Sequence, residues 1–147
     1  MLDRFIWGSV HRISPEAPVP VVEIKRESTC LGGAANVSAN IKSLRGNPLT
    51  LGVIGKDFEG KRLREEFLSL GAPVTALVED PERATTVKTR IIAHHQQVCR
   101  TDREEKSVLS QRTRERVARE FRRLLPRVDA VVVSDYAKGL ISPSFLK

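Results

Sequence analysis

The polar residues worth following are few, and two glycines stand at their centre. Gly32 and Gly33, in Cys30-Leu31-Gly32-Gly33-Ala34-Ala35-Asn36-Val37, can take positive φ and leave no Cβ in the way of a ligand. The amides that follow open a helix, and a helix N-terminus favours oxygen-rich ligands through its unpaired N–H groups and its macrodipole. Asn36 both donates and accepts hydrogen bonds, which suits vicinal hydroxyls. Asp3, Asn36 and Asp135 together supply acceptors for several hydroxyls, the requirement of a sugar site. Lys88, Arg90, Arg100 and Lys138 are available to hold a phosphate, arginine bidentately and lysine as a point charge.

Taken singly, each of these has a plainer explanation. The glycines serve any tight loop-to-helix turn, Asp135 caps the turn after a strand, and Lys88 and Arg90 are solvated on a shared strand face. His94-His95 reads as a wet hairpin tip, with no further ligand nearby to complete a metal set. The chain has no G-x-x-x-x-G-K-[ST], no G-x-G-x-x-G and no nucleophile elbow. No side chain stands out as a catalytic base. The chain is therefore expected to hold a ligand without completing a reaction.

The elements that must position these residues follow from pattern. The prolines of Ile13 to Val22 forbid a helix and predict extended chain, with Val19 to Ile24 an edge or lid strand. Val37, Ile41 and Leu44 predict one face of the glycine-opened helix, which Gly46 stops. Leu49 to Ile54 reads as a buried strand ending at Gly55-Lys56-Asp57-Phe58-Glu59-Gly60. A second helix carries Leu63, Phe67 and Leu70 and stops at Gly71; Pro73 to Val78 is a strand.

Thr85 to Ala93 and Gln96 to Thr101 predict a hairpin turning at His94-His95, and Asp102 to Val108 a charged loop. Ser110 caps a helix whose buried stripe is Val117, Phe121 and Leu124. Val128 to Val133 reads as a buried parallel strand, and Ser142-Pro143 as the start of another helix. Strands alternating with helices predict a parallel α/β sheet, with segments 13–24 and 85–101 as a separate flap. In such sheets ligands bind beyond the carboxyl ends of strands, so one crevice is expected to gather Asp57, Asp135 and the Gly32-Gly33 turn.

Size and composition set the frame. A chain of 147 residues, 40% apolar and 29% charged, suits one packed core and is too short for two ordinary domains. It carries no run long enough for a membrane span and no signal-peptide order, and Cys30 and Cys99 read as reduced thiols, so a cytoplasmic location is expected. The net charge of +7 owes much to Arg112, Arg114, Arg116, Arg119, Arg122, Arg123 and Arg127. A basic, non-catalytic nucleic-acid binder is the alternative that this run raises. Without interleaved aromatics a solvated helix face explains it better, and no nucleic-acid partner is expected.

Read together, the motifs resemble the ribokinase-like, PfkB-type carbohydrate kinases, and within them the kinases of D-glycero-β-D-manno-heptose 7-phosphate. The resemblance runs through Met1-Leu2-Asp3-Arg4, Ile13 to Val22, Gly32 to Val37, Gly55 to Gly60, Thr86 to Ile91, Gln96-Gln97, Arg100-Thr101-Asp102 and Ser134 to Gly139. Gly-Gly-x-x-Asn marks the superfamily alone; Ser14 to Pro20 and Ser134 to Gly139 are more specific.

The resemblance implies an incomplete ribokinase-like, Rossmann-like parallel sheet with flanking helices and a small β lid at about 13–24 and 85–101. Residues 1–147 would be the N-terminal, sugar-binding part of the kinase domain. Asp3, Gly32, Gly33 and Asn36 would contact sugar hydroxyls, with Asp135 at the sugar end of the cleft and Lys88, Arg90, Arg100 and Lys138 near the 7-phosphate. The family transfers the γ-phosphoryl of ATP, with Mg2+, to the anomeric hydroxyl, on the route to the ADP-heptose of lipopolysaccharide. The lid would pair with a second subunit to make a homodimer. The family's Gly-Asp strand would fall before Met1. Its Gly-Ala-Gly-Asp anion hole, with the catalytic aspartate, and its adenine site would fall beyond Lys147. The chain alone is then expected to be inactive.

Overall fold

The computed structural model describes residues 1–142 and 145. Strand β1 (Leu2–Ile13) folds back antiparallel on β2 (Pro20–Leu31), pairing Leu2 with Leu31 and Asp3 with Cys30. Pro15 and Pro18 lie in the connecting loop. Pro20 stands at the first position of an edge strand, where its missing N–H costs no ladder bond. The sequence reading placed no strand at the first residues. Phe5, Ile6 and Trp7 are strong strand formers there, and partners on both sides stabilise the segment.

A glycine-hinged turn leads from β2 into helix α1 (Ala34–Ser43). Strand β3 (Gly52–Gly55), helix α2 (Phe58–Ser69) and strand β4 (Leu77–Asp80) follow as a unit of strand, helix and parallel strand in sequence. Strands β5 (Val87–Ala93) and β6 (Gln96–Arg103) form the expected hairpin, with His94 and His95 both at positive φ in its turn. Helix α3 (Gln111–Leu124) follows, with the Ser110 side chain accepting from Thr113 N, and runs into a 3-10 turn at Leu125–Arg127. The strands make two sheets: a mixed four-stranded one in the order β2-β1-β5-β6, and the parallel pair β3-β4.

The core lies where the inner ends of β1, β2 and β5 meet α1, α2 and the β3-β4 pair. Leu2, Leu31, Ala35, Ile54, Leu63, Phe67, Ala72, Leu77 and Val87 form it, and Phe67 has no exposed surface. Asp57 caps α2 by accepting from Gly60 N, and also takes Thr85 N and Thr85 Oγ1. Burial alone would raise its pKa, but these hydrogen bonds outweigh it and hold the carboxyl below its ordinary value. Its lone pairs are spent on structure. The expectation that Asp57 joins the ligand crevice is corrected accordingly.

Three further expectations change. Helix α1 buries Ala35 and Ser38, not the stripe of Val37, Ile41 and Leu44; Leu44 is 82% exposed. The helix ends at Ser43, and Arg45 rather than Gly46 takes the left-handed position (φ 67°). Gly46 N to Ile41 O and Arg45 N to Lys42 O then complete a Schellman cap. The strand expected at Pro73–Val78 starts only at Leu77, because Val74 O accepts from Leu77 N in a turn.

The largest correction concerns Val128–Val133, which forms no strand. Val131, Val132 and Val133 are 49%, 64% and 56% exposed. This segment and Leu49–Val53 both line a cavity of about 800 Å³, and among the described residues no strand pairs with it. The β-branched pattern reported the propensity, and pairing decided the outcome. The helix start expected at Ser142-Pro143 lies outside the described residues.

Candidate functional site

The site is built on the turn between β2 and α1. Gly32 N donates to Met1 O (3.1 Å), which ties the turn to the start of β1. Gly33 has φ 54°, a conformation natural to glycine, and stands at the N-cap of α1 with no side-chain cap. Its carbonyl accepts from Asn36 N (3.0 Å) and Val37 N (3.3 Å), while Ala35 N turns back to Gly32 O (3.1 Å). Among the described residues the Gly33 and Ala34 amides are left without an acceptor, the two donors an oxygen-rich ligand would find first.

Asp3 shows why position 32 must be glycine. A Cβ there would stand 2.6 Å from Asp3 Oδ2, inside any real contact. On its other side Asp3 Oδ1 accepts from Arg90 Nη1 at 2.8 Å, so the carboxylate is wedged between turn and guanidinium. Oδ2 accepts no hydrogen bond among the described residues and is open to a hydroxyl. Burial, then the negative charge of Asp3, pushes the neighbouring Cys30 thiol up. Asn36 lies exposed in the first turn of α1.

The segment Ser134 to Gly139 reaches the turn through Tyr136, whose Cε2 would lie 3.4 Å from a Cβ at Gly33. Asp135 Oδ1 accepts from Ala137 N (2.9 Å), so it does cap its own turn, and the residue lines the large cavity beside Met1 and Ala34. Arg83, which the sequence reading missed, holds this segment. It donates to Lys138 O (2.9 Å), Glu105 O (2.6 Å) and Ser107 O (3.1 Å). Nothing in its sequence context distinguishes it from any arginine in a turn.

The four cations read from sequence as phosphate ligands are all engaged with carboxylates. Lys88 meets Asp102 (2.6 Å) and Glu104 (3.7 Å), Arg100 Nε meets Asp102 (2.9 Å), Lys138 meets Glu104 (2.5 Å) and Arg90 meets Asp3. Hydrogen bonds from Lys106 and Lys138 bring the Glu104 pKa down to about 2, and Lys88 above all lowers that of Asp102. Antiparallel pairing of β6 with β5 sets Asp102 opposite Lys88 and Arg100 opposite Arg90, a register the sequence does not announce. The structure thus brings Asp3 into contact with Gly32 and Arg90, with Gly33 next in the chain against Met1 and Tyr136. Lys88, Arg100 and Lys138 form an ion-pair network beside them.

An uncapped glycine turn, an acidic residue wedged against it and a basic sheet alongside thus lie together on an α/β fold. Solved structures agree on the fold. The chain superposes on phosphofructokinase-2 from Escherichia coli in complex with fructose-6-phosphate with a TM-score of 0.63 at 18% identity, covering 83% of this chain and 38% of that one. A ribokinase from Agrobacterium tumefaciens gives 0.56 at 16% identity, covering 69% and 32%. Residues 5–145 match the pfkB family carbohydrate kinases, and the chain belongs to that family. It is 44% identical over 143 residues to the bifunctional protein HldE of Wolinella succinogenes, and 43% identical over 147 residues to that of Geotalea uraniireducens. These matches cover 97% and 100% of this chain, which spans 30% of the length of each relative.

Proposed function

We propose that this chain forms the sugar-binding part of an ATP-dependent kinase that phosphorylates the anomeric hydroxyl of D-glycero-β-D-manno-heptose 7-phosphate to the 1,7-bisphosphate, toward ADP-heptose. The observation that carries this reading is the Asp3 carboxylate, held between Gly32 and Arg90 with Oδ2 open beside two unpaired helix amides. Similarity to proteins named HldE supports the heptose, and the fold shared with an enzyme solved with fructose-6-phosphate supports a phosphorylated sugar. Another pfkB-type sugar kinase is the second reading, favoured by the shared fold alone.

Phosphoryl transfer asks a protein mainly for positioning and charge stabilisation. Here Asp3 accepts from sugar hydroxyls, the Gly33 and Ala34 amides donate, and Asn36 does both. Tyr136 brings Asp135 and Lys138 toward the same turn under the hold of Arg83. ATP with Mg2+ supplies the phosphoryl group when bound. Among the described residues no set of three His, Cys, Asp or Glu side chains is placed to hold a metal ion, so these residues do not fit the metal.

The sheet β2-β1-β5-β6 with its 14–19 loop serves as the lid, and the exposed Ile13, Val19, Ile24 and Val98 support pairing with a second copy. No described helix is long and apolar enough to cross a membrane, and a cytoplasmic site of action fits a kinase that uses ATP. Calorimetric titration of the chain tests the substrate. Heptose 7-phosphate is expected to bind at least about tenfold more tightly than fructose or ribose, the worth of one charge-assisted contact. Tighter binding of an unphosphorylated sugar transfers the assignment to the second reading.

A further inference from the structure

The face of the sheet that carries Asp3 continues outward past it. Alternation along β1 puts Asp3, Phe5 and Trp7 on that face. The register sets Arg90 of β5 beside Phe5 and Arg26 of β2 beside Trp7. Contacts run along this face unbroken. Arg90 binds Asp3 at 2.8 Å and lies over the Phe5 ring, 5.4 Å from its centroid. Phe5 stacks on Trp7 at 5.5 Å, and the Arg26 guanidinium sits 4.0 Å from the centroid of the Trp7 ring.

Arg26 differs in kind from the cations already described. Lys88, Arg90, Arg100 and Lys138 each meet a carboxylate, whereas no carboxylate among the described residues pairs with Arg26. Its neighbour Lys25 takes up Glu23 instead. A ring face fixes a guanidinium without consuming its N–H donors as a carboxylate does, so Arg26 is both oriented and uncommitted. That is the state in which a guanidinium binds phosphate bidentately. Trp7 lies four residues beyond Asp3, about 13 Å along an extended strand. The separation exceeds one pyranose ring and suits a sugar lengthened by a side chain that ends in phosphate.

We propose that Arg26, held over Trp7, receives the terminal phosphate of a sugar whose ring hydroxyls sit at Asp3 and the Gly32-Gly33 turn. The pair thereby sets the preference for a phosphorylated over an unphosphorylated sugar. This inference rests on the sugar-binding reading above and adds the end of the site at which the substrate is measured.

Trp7 is the single tryptophan of the chain, so its fluorescence reports binding where it is proposed to occur. The wild-type chain, R26A and R26K are titrated with heptose 7-phosphate and with unphosphorylated heptose, with calorimetry alongside. Arg26 is exposed and its removal leaves no buried partner, so the variants fold. R26A is expected to bind the phosphorylated sugar at least about tenfold more weakly, with heptose unchanged. R26K falls between, since an ammonium keeps the charge and loses the bidentate geometry. If wild type and R26A prefer the phosphorylated sugar equally, the assignment of Arg26 is overturned and the sugar site stands. If the wild type binds neither sugar by either method, the sugar reading fails and takes this inference with it.

Discussion

Replacing Asp3 with Asn lowers the affinity for heptose 7-phosphate by about 100-fold, and Gly32→Ala does the same from the other side of the contact. The carboxylate is the one strong acceptor wedged at the turn. Hydrogen bonds to a charged group contribute about 1.5–3 kcal/mol each, so one or two hydroxyl contacts account for the loss. Asn keeps the shape and an acceptor oxygen but removes the charge, so the Arg90 contact at 2.8 Å loses its ionic character. In Gly32→Ala the carboxylate is intact but must move, because the new Cβ would lie 2.6 Å from Oδ2. Calorimetry reads the affinity, and circular dichroism shows that the fold survives. Unchanged affinity in D3N would remove Asp3 from the site.

Phe67→Ala destabilises the fold by about 3–5 kcal/mol, the usual range for a buried phenylalanine truncated in a packed core. The ring has no exposed surface, and it sits among Leu2, Leu31, Leu63 and Leu77, where α2 meets both sheets. Domains of this size are stable by only about 5–15 kcal/mol. This one is expected near the lower limit, because Val131 to Val133 and the face of the large cavity leave apolar surface in water. The variant is therefore expected to be substantially unfolded at room temperature. Urea unfolding followed by circular dichroism measures the change; a loss below about 1 kcal/mol would mean that the cluster around Phe67 is not the core.

What could be read in the sequence depended on whether local pattern or distant partners fixed the outcome. Helices α2 and α3 were legible because their signals are local: Ser110 at the N-cap of α3, Gly71 at the end of α2, and Leu63, Phe67, Val117 and Leu124 inside; Asp57, read from sequence as a ligand group, instead caps α2. The β5-β6 hairpin was legible from its two flanking runs. Helix α1 misled because its small residues, Ala35 and Ser38, allow close packing, while Ile41 and Val37 face the cavity. Val128–Val133 misled because strand propensity is realised only against a neighbour. In the site, the glycines, Asp3 and Arg90 were legible as residue types, yet their contact depends on pairing between strands 87 positions apart. Arg83, Arg26 and the carboxylates Asp102 and Glu104 gave no signal, since their roles arise from register and ring contacts.

The most direct measurement is an amide nuclear magnetic resonance titration of the labelled chain with heptose 7-phosphate, which locates the ligand residue by residue. Shifts concentrated at Asp3, Gly32, Gly33, Asn36, Arg90 and Tyr136 are expected. Shifts confined to α3 and its arginines, with the Gly32-Gly33 turn unmoved, would contradict a sugar site at this turn.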